Sequence, residues 1–383
     1  MAKKTAKRWM GWLLLVCLIL PLAACGAGGK QKGGEEPALR DCAIIHEPEF
    51  GGVYIKATID EFNALGFAYG DSVNVAFSNG YVLEDIPYYN GYYTENGKPL
   101  LIAYPGYDYV KAAINNGDDL WTVAGLGESD LASVTLGERG KYLEIQNARD
   151  IHYEDDRTLY ASDVVFANFR AIRAGGIKDG VLYRSASPCD NQHNRAPYVD
   201  ALIAEAGVQF ILDLADNEEK IGKYIASPDF ASPYFLSLYE AGGVLPIALN
   251  MNFGSEEFRS KIVGGFTAMA HCDGPYLIHC TEGKDRTGFV CMLLEALAGA
   301  DYREIVDDYM LTYDNYYGIT QESDKAKYDV IVDQLLDPMI RTVVGEEGID
   351  IKAAELSGYA EAFLRNAGMS DADIELLRTR ISG

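Results

Sequence analysis

The polar and apolar positions of the chain fall into three regimes. The first 24 residues open on Lys3, Lys4, Lys7 and Arg8, then run apolar from Trp9 to Ile19. From about Asp41 to Ile145 the pattern is one of short apolar stretches cut by turn signals. Val53-Tyr54-Ile55, Val73-Asn74-Val75-Ala76, Leu100-Leu101-Ile102 and Tyr142-Leu143-Glu144-Ile145 read as strands, with turns at Ser78-Asn79-Gly80 and Asn96-Gly97. This predicts a small β-rich domain over 41–150. From about Tyr160 helices and strands alternate. An amphipathic helix over 196–206 closes at Gly207 and feeds the compact apolar strand Val208 to Leu212, of the kind buried in a parallel sheet. A second such strand, Tyr276 to His279, runs into a loop and then a helix over 289–298 that is apolar on nearly every side. Asp301 with Glu304 three residues on caps a further helix through Tyr313, and two more are expected over 350–366 and 371–381, with Ser370 placed to cap the last. No internal repeat is visible.

Composition sharpens this picture at two points. With 383 residues and 48% hydrophobic positions, the chain has material for two cored domains. Its formal net charge is −24, or about −28 without the four cations at its start. Such a body is repelled by nucleic acid and by anionic bilayers, so a nucleic-acid partner is excluded. The apolar run is short for a membrane span and ends in small residues, as a secretion signal does. Leu22-Ala23-Ala24-Cys25 resembles the bacterial lipobox, which implies lipidation of Cys25, a membrane anchor and an extracytoplasmic location. Residues 25–40, rich in glycine, read as a flexible tether. Of the seven cysteines, Cys17 and Cys25 lie in this leader. Cys42, Cys189, Cys272, Cys280 and Cys291 remain, without zinc-type spacing.

Candidate chemistry concentrates in His279-Cys280-Thr281-Glu282-Gly283-Lys284-Asp285-Arg286-Thr287-Gly288, between the strand and the apolar helix. A loop at a helix N-terminus aims backbone N–H groups into one concavity, where the helix dipole favours anions. A cysteine at its start has its thiolate favoured by the same field. Arg286, six residues on, can fork two N–H donors onto phosphate oxygens. Gly283 lets the backbone bend, Thr287 can donate its hydroxyl to the sulfur, and His279 can order the loop. Thr281, Glu282, Gly283, Lys284 and Thr287 make up the expected phosphate cradle. A nucleotide P-loop fails, because Ile278 stands where its first glycine belongs and Asp285 follows the lysine.

Cys-x5-Arg-Thr preceded by His is similar to the signature of cysteine-dependent tyrosine phosphatases. The full string resembles the bacterial branch that also acts on phosphoinositides. Asn168-Phe169-Arg170, Leu182-Tyr183-Arg184-Ser185 and Asp213-Leu214 resemble further motifs of that branch. The resemblance implies an α/β cysteine-phosphatase fold over 155–383, a central mostly parallel sheet flanked by helices. It implies Cys280 as nucleophile, Arg286 as phosphate ligand and Asp285 as general acid, with Asp216 or Asp229 on a separate loop as the alternative acids. No metal or organic cofactor is implied. Substrates would be phosphorylated proteins, phosphoinositides or inositol phosphates, Lys284 favouring the last two. The chain departs from the family pattern at Ala215, where arginine is usual, and at Glu282, where the tyrosine phosphatase loop usually has alanine. Glu282 is expected to pair with a base such as Arg170 or Arg184; left unpaired it would weaken catalysis and leave a phospholigand-binding module. His193 and Arg195 read as a solvated loop, the many tyrosines of the β-rich domain as packing and surface residues, and part of 218–260 as a lid over the site.

Overall fold

The computed structural model describes residues 36–382, and residues 37–383 cluster as one compact unit. The expected signal, Cys25 and most of the tether lie outside the described residues.

Seven strands close into a barrel: β1 (Ala38–His46), β2 (Val53–Ile55), β3 (Ser72–Phe77), β4 (Val82–Tyr89), β5 (Pro99–Ile102), β6 (Val110–Ile114) and β7 (Leu131–Leu136). Their order is β1-β2-β6-β5-β4-β3-β7, with β7 returning to β1. Every pairing is antiparallel except β4 with β5. Alternate residues such as Val73, Val75, Leu101, Val110 and Val134 point into a core with Phe62 and Phe67, whose rings stack at 4.2 Å. β1 takes in Ala38 to Arg40, positions that the sequence reading gave to the tether.

The expected strand over Tyr142 to Ile145 is instead the start of the helix Leu143–Arg149. Its alternation carried no burial: Leu143 faces solvent, whereas Gln146 is buried and exchanges hydrogen bonds with Asn90 of the barrel. The helix packs on a second helix, Lys325–Ile331, and so joins barrel to α/β region.

The α/β region is built on a five-stranded sheet of β8 (Arg170–Ala171), β9 (Leu182–Ser185), β10 (Phe210–Asp213), β11 (Val244–Pro246) and β12 (Tyr276–His279), in the order β11-β10-β12-β9-β8. All pairs are parallel except β8 with β9, which matches the expected mostly parallel sheet. β12 lies at the centre, and the helix Asp285–Leu297 that follows it is buried along most of its length. The helix Tyr302–Tyr317 begins at the expected capping box of Asp301 and Glu304 and ends at Gly318. The segment 218–260 supplies two helices, Glu218–Ile225 and Pro233–Glu240, and the edge strand β11. Its length is used in part to extend the sheet, and after β11 the Leu249 carbonyl accepts from Arg286 of the loop. Among the described residues no helix is long and apolar enough to cross a membrane.

Candidate active site

The loop from Cys280 to Arg286 leaves the end of the central strand and enters the helix Asp285–Leu297. The sheet thus fixes one end and a buried helix the other. Gly283 sits at φ +69°, where a Cβ would lie 2.2 Å from the Ser185 carbonyl oxygen, so only glycine fits this bend against β9. Cys280 is 3% exposed at the base of the loop. The Arg286 guanidinium donates to the Thr281 hydroxyl at 3.4 Å and to the Leu249 carbonyl at 3.3 Å, which folds it back across the loop. Cys280, Thr281, Gly283 and Arg286 are thereby brought together as the spacing requires.

The loop carbonyls are held from outside by residues that the motif alone does not reveal. Tyr316 donates its hydroxyl to the Glu282 carbonyl at 2.7 Å. Arg184 donates to the Gly283 carbonyl at 3.0 Å, and the Asn168 amide reaches the same oxygen at 3.3 Å. Asn168 is at φ +50°, a conformation asparagine tolerates better than most residues. Asp308 binds Arg170 at 2.8 Å and Arg184 at 2.5 Å, joining β8, β9 and the helix Tyr302–Tyr317. With the carbonyls turned outward onto these donors, the loop amides are left for the concave side. Asp308, Thr312 and Tyr316 are spaced i, i+4, i+8 on one helix face, and this polar stripe on a helix following the motif was a readable signal.

Glu282 pairs with neither Arg170 nor Arg184, because Asp308 occupies both. Its carboxylate meets Lys284 at 3.0 Å. Burial alone would raise the pKa of the Glu282 carboxyl, but the Lys284 ammonium beside it holds that pKa below the usual range. Burial works against the Lys284 charge, and the carboxylates of Asp285, at 3.9 Å, and Glu282 together hold that ammonium well above its ordinary value. Lys284 also contacts the Tyr317 hydroxyl at 3.3 Å. Its charge is therefore compensated from within the loop.

His279 is fully buried, with Nδ1 3.4 Å from the Cys280 carbonyl and Nε2 3.9 Å from Asp213. Burial pushes its imidazole down to about 4, so the ring is neutral near pH 7. Burial also pushes Asp213 and Asp216 up to about 6. The Thr287 hydroxyl is buried without a hydrogen-bond partner and is not bonded to Cys280. Cys189, Asp213 and Asp216 place three metal-capable atoms within 4.8 Å, but Asp213 already accepts from the Ala215 and Asp216 amides and Cys189 contacts the Ser187 hydroxyl. These bonds explain the grouping as a brace under the strand end.

Arg195 is not solvated, contrary to the sequence reading. It is 2% exposed, bound to Asp155 at 2.7 Å and stacked over Tyr153 and Tyr316, with His193 also on Asp155. Beyond the loop a cleft of about 790 Å³ opens at Asp285. One wall is Met251 to Gly254 and residues 334–342. The other is the barrel, through Tyr92, Tyr104, Tyr107 and Asn115, with Arg149 beside it.

Residues 142–383 match the family described as "Tyrosine phosphatase family". The chain is 34% identical over 121 residues to a tyrosine-protein phosphatase of Nostoc commune, a match covering 29% of this chain and 40% of the relative. It is 31% identical over 127 residues to the triple specificity protein phosphatase PtpB of Mycobacterium tuberculosis, covering 28% and 44% respectively. The chain thus spans under half the length of the curated relatives it matches. Among solved structures, TpbA of P. aeruginosa in complex with pTyr aligns with a TM-score of 0.26 at 15% identity, covering 49% of this chain and 88% of that one. The core catalytic domain of the PP-IP phosphatase SIW14 of S. cerevisiae aligns at 0.25 and 18%, covering 46% and 94%. At these scores the likeness is slight.

Proposed function

The chain belongs to the tyrosine phosphatase family, and from that membership we propose that it hydrolyses phosphate monoesters, first of all phosphotyrosine in proteins, through a phosphocysteine intermediate. The observation that carries this reading is the placement of Cys280 and Arg286 at the two ends of one loop. That loop bends at Gly283 and opens at the N-terminus of a buried helix. The Cys280 thiolate attacks phosphorus in line, forming an S–P bond as the ester P–O bond breaks. Asp285 gives its proton to the departing oxygen, while Arg286 and the loop amides hold the three equatorial oxygens. Water then attacks the phosphocysteine and returns a proton to Asp285, releasing phosphate and restoring the thiolate. Asp285 is preferred over Asp216 and Asp229 because it sits in the loop with its carboxylate a third exposed, while Asp216 is buried beneath the strand end.

A second reading, an inositol-phosphate or phosphoinositide phosphatase, draws on Lys284 in the loop. A third, a weakly active phospholigand-binding module, draws on Glu282. The proposed setting is the outer face of a bacterial membrane, with lipid on Cys25. The lipobox-like sequence supports this, and Cys25→Ala should move the protein from membrane to soluble fractions.

Phosphate release at about pH 6 tests the activity. The panel holds phosphotyrosine, phosphoserine and phosphothreonine peptides, phosphoinositides and soluble inositol phosphates. Turnover lost in Cys280→Ser is the expected result, and the preferred substrate selects between the enzymatic readings. Tight binding of phosphate analogues without turnover would leave the binding module.

A further inference from the structure

In the reaction above the leaving group departs on the side of Asp285, and the large cleft opens at that residue. The cleft lining takes in Asp285 of the loop and not Cys280, which, with Asp285 as the acid, sets the cleft on the leaving-group side. Its volume of about 790 Å³ far exceeds what one phenyl ring needs. Half of its wall comes from the barrel, a part of the chain that lies outside the family match.

We propose that the barrel wall of this cleft is a subsite for the peptide that carries the phosphorylated residue, with Arg149 receiving an acidic side chain of that peptide. The proposal rests on the reading of Asp285 as the acid. Its chemistry follows from the lining. Tyr104 and Met251 face each other's walls with 46% and 38% of their surfaces exposed, a large uncovered apolar area for a soluble surface. Asn116 donates to the Asn96 side-chain oxygen at 2.8 Å and Asn96 donates to the Met251 carbonyl at 3.4 Å, a chain that ties the two walls together and leaves the Asn116 side-chain oxygen as an acceptor for a peptide N–H.

Charge then separates a peptide from a polyphosphorylated inositol. The latter needs several uncompensated cations in one place. Here Lys284, outside the cleft lining, is matched by Glu282 and Asp285, and Arg149 is the one cation among lining residues that also include the carboxylates of Glu95 and Asp285. Arg149 lies over the Tyr93 ring at 5.2 Å, and among the described residues no carboxylate stands within ion-pair distance of it. One uncompensated guanidinium in a molecule of charge −24 is suited to one carboxylate. The helix Leu143–Arg149 that carries it is clamped between the barrel and the helix Lys325–Ile331, so the cation is presented from a fixed element.

The test compares kcat/KM of the full chain for three substrates: para-nitrophenyl phosphate, a phosphotyrosine peptide with a flanking Glu, and the same peptide with Ala in its place. Tyr104→Ala and Met251→Ala are expected to lower the peptide to para-nitrophenyl phosphate ratio about fivefold, through KM and not kcat. Arg149→Gln is expected to abolish a preference of about fivefold for the Glu peptide. Val82→Ala, exposed on β4 outside the cleft lining, serves as the control that leaves the ratio unmoved. Unchanged ratios in all three cleft variants, with para-nitrophenyl phosphate still hydrolysed, overturn the subsite and spare the catalytic reading. Variants that instead lose turnover of inositol phosphates or phosphoinositides overturn the peptide assignment. No hydrolysis of any substrate by the unaltered chain overturns both.

Discussion

At the scale of single residues, Glu282 is the informative departure. It stands in the loop proposed to bind phosphate, where Lys284 takes its charge at 3.0 Å, so the pair adds little net field there. Glu282→Ala should release that ammonium toward the bound anion. The Ki for inorganic phosphate is expected to fall about tenfold, the effect of one charge-assisted contact of ~1.4 kcal/mol. An unchanged Ki would mean that Lys284 turns away once freed. Gly283 carries the opposite lesson. Its Cβ-free contact with β9 is obligatory, and Gly283→Ala should cost at least about a hundredfold in kcat/KM while Cys280 remains in place. Thiol alkylation of folded protein checks that the nucleophile survives.

At the scale of elements, the loop is only as firm as the helix Tyr302–Tyr317 behind it. Asp308 is the sole carboxylate bound by both Arg170 and Arg184 among the described residues. The two guanidinium charges hold its carboxyl well below the usual range, although burial alone would raise it. Asp308→Asn strands two buried cations and should lower unfolding free energy by about 3–5 kcal/mol in urea titrations. The strand end at Asp213 supplies a pH signature. Asp213 is buried with a folded value of about 6, above the ordinary carboxylate range, so the fold favours its protonated form. That contribution is present below pH ~4 and is lost as pH rises through about 6. His279, with a folded value of about 4, acts in the other direction: its contribution is present above pH ~6.5 and lost as pH falls through about 4. Asp213→Asn keeps an acceptor for the Ala215 and Asp216 amides without the charge. It should therefore melt higher than the parent at about pH 7.5, by up to ~2 kcal/mol, and match it at about pH 4.

These elements also mark what the sequence disclosed. β12, the loop and the following helix were legible because a strand, a glycine bend and an apolar helix have local signatures. The partners of Glu282 and Arg195 were not: Arg195 is taken by the distant Asp155, and Glu282 is left to Lys284, two residues on, because Asp308 holds Arg170 and Arg184. The helix Leu143–Arg149 was misread because Tyr142 to Ile145 alternates as a strand does, while its burial is decided by the Gln146–Asn90 exchange. Barrel closure was illegible for a related reason. β1 with β7, β2 with β6 and β3 with β7 pair across long sequence separations, and short strands with buried positions on both faces, such as β4 and β6, do not alternate cleanly.

At the scale of the whole molecule, the proposed activity requires a body of formal charge −24 to attract a phosphate dianion. The cations that do so are few and local, with Arg286 in the loop and Arg149 in the cleft. Between these scales the signs oppose. Long-range repulsion acts over tens of ångströms and is screened by salt, the Debye length being about 10 Å at ~0.1 M. The proposed contact of Arg286 with phosphate, made within the loop, would be screened far less. Raising ionic strength should therefore remove more repulsion than attraction. For a phosphotyrosine peptide, kcat/KM is expected to rise about two- to fivefold between ~0.02 and ~0.2 M salt, carried by KM, while kcat holds steady. The reverse slope would show that the field at the mouth of the cleft is positive in spite of the molecule around it, and that Arg149 and the loop dominate encounter as well as binding. The measurement is best made on the Glu-flanked and Ala-flanked peptides together. Their common salt dependence reports the whole molecule, and the difference between them reports Arg149 alone.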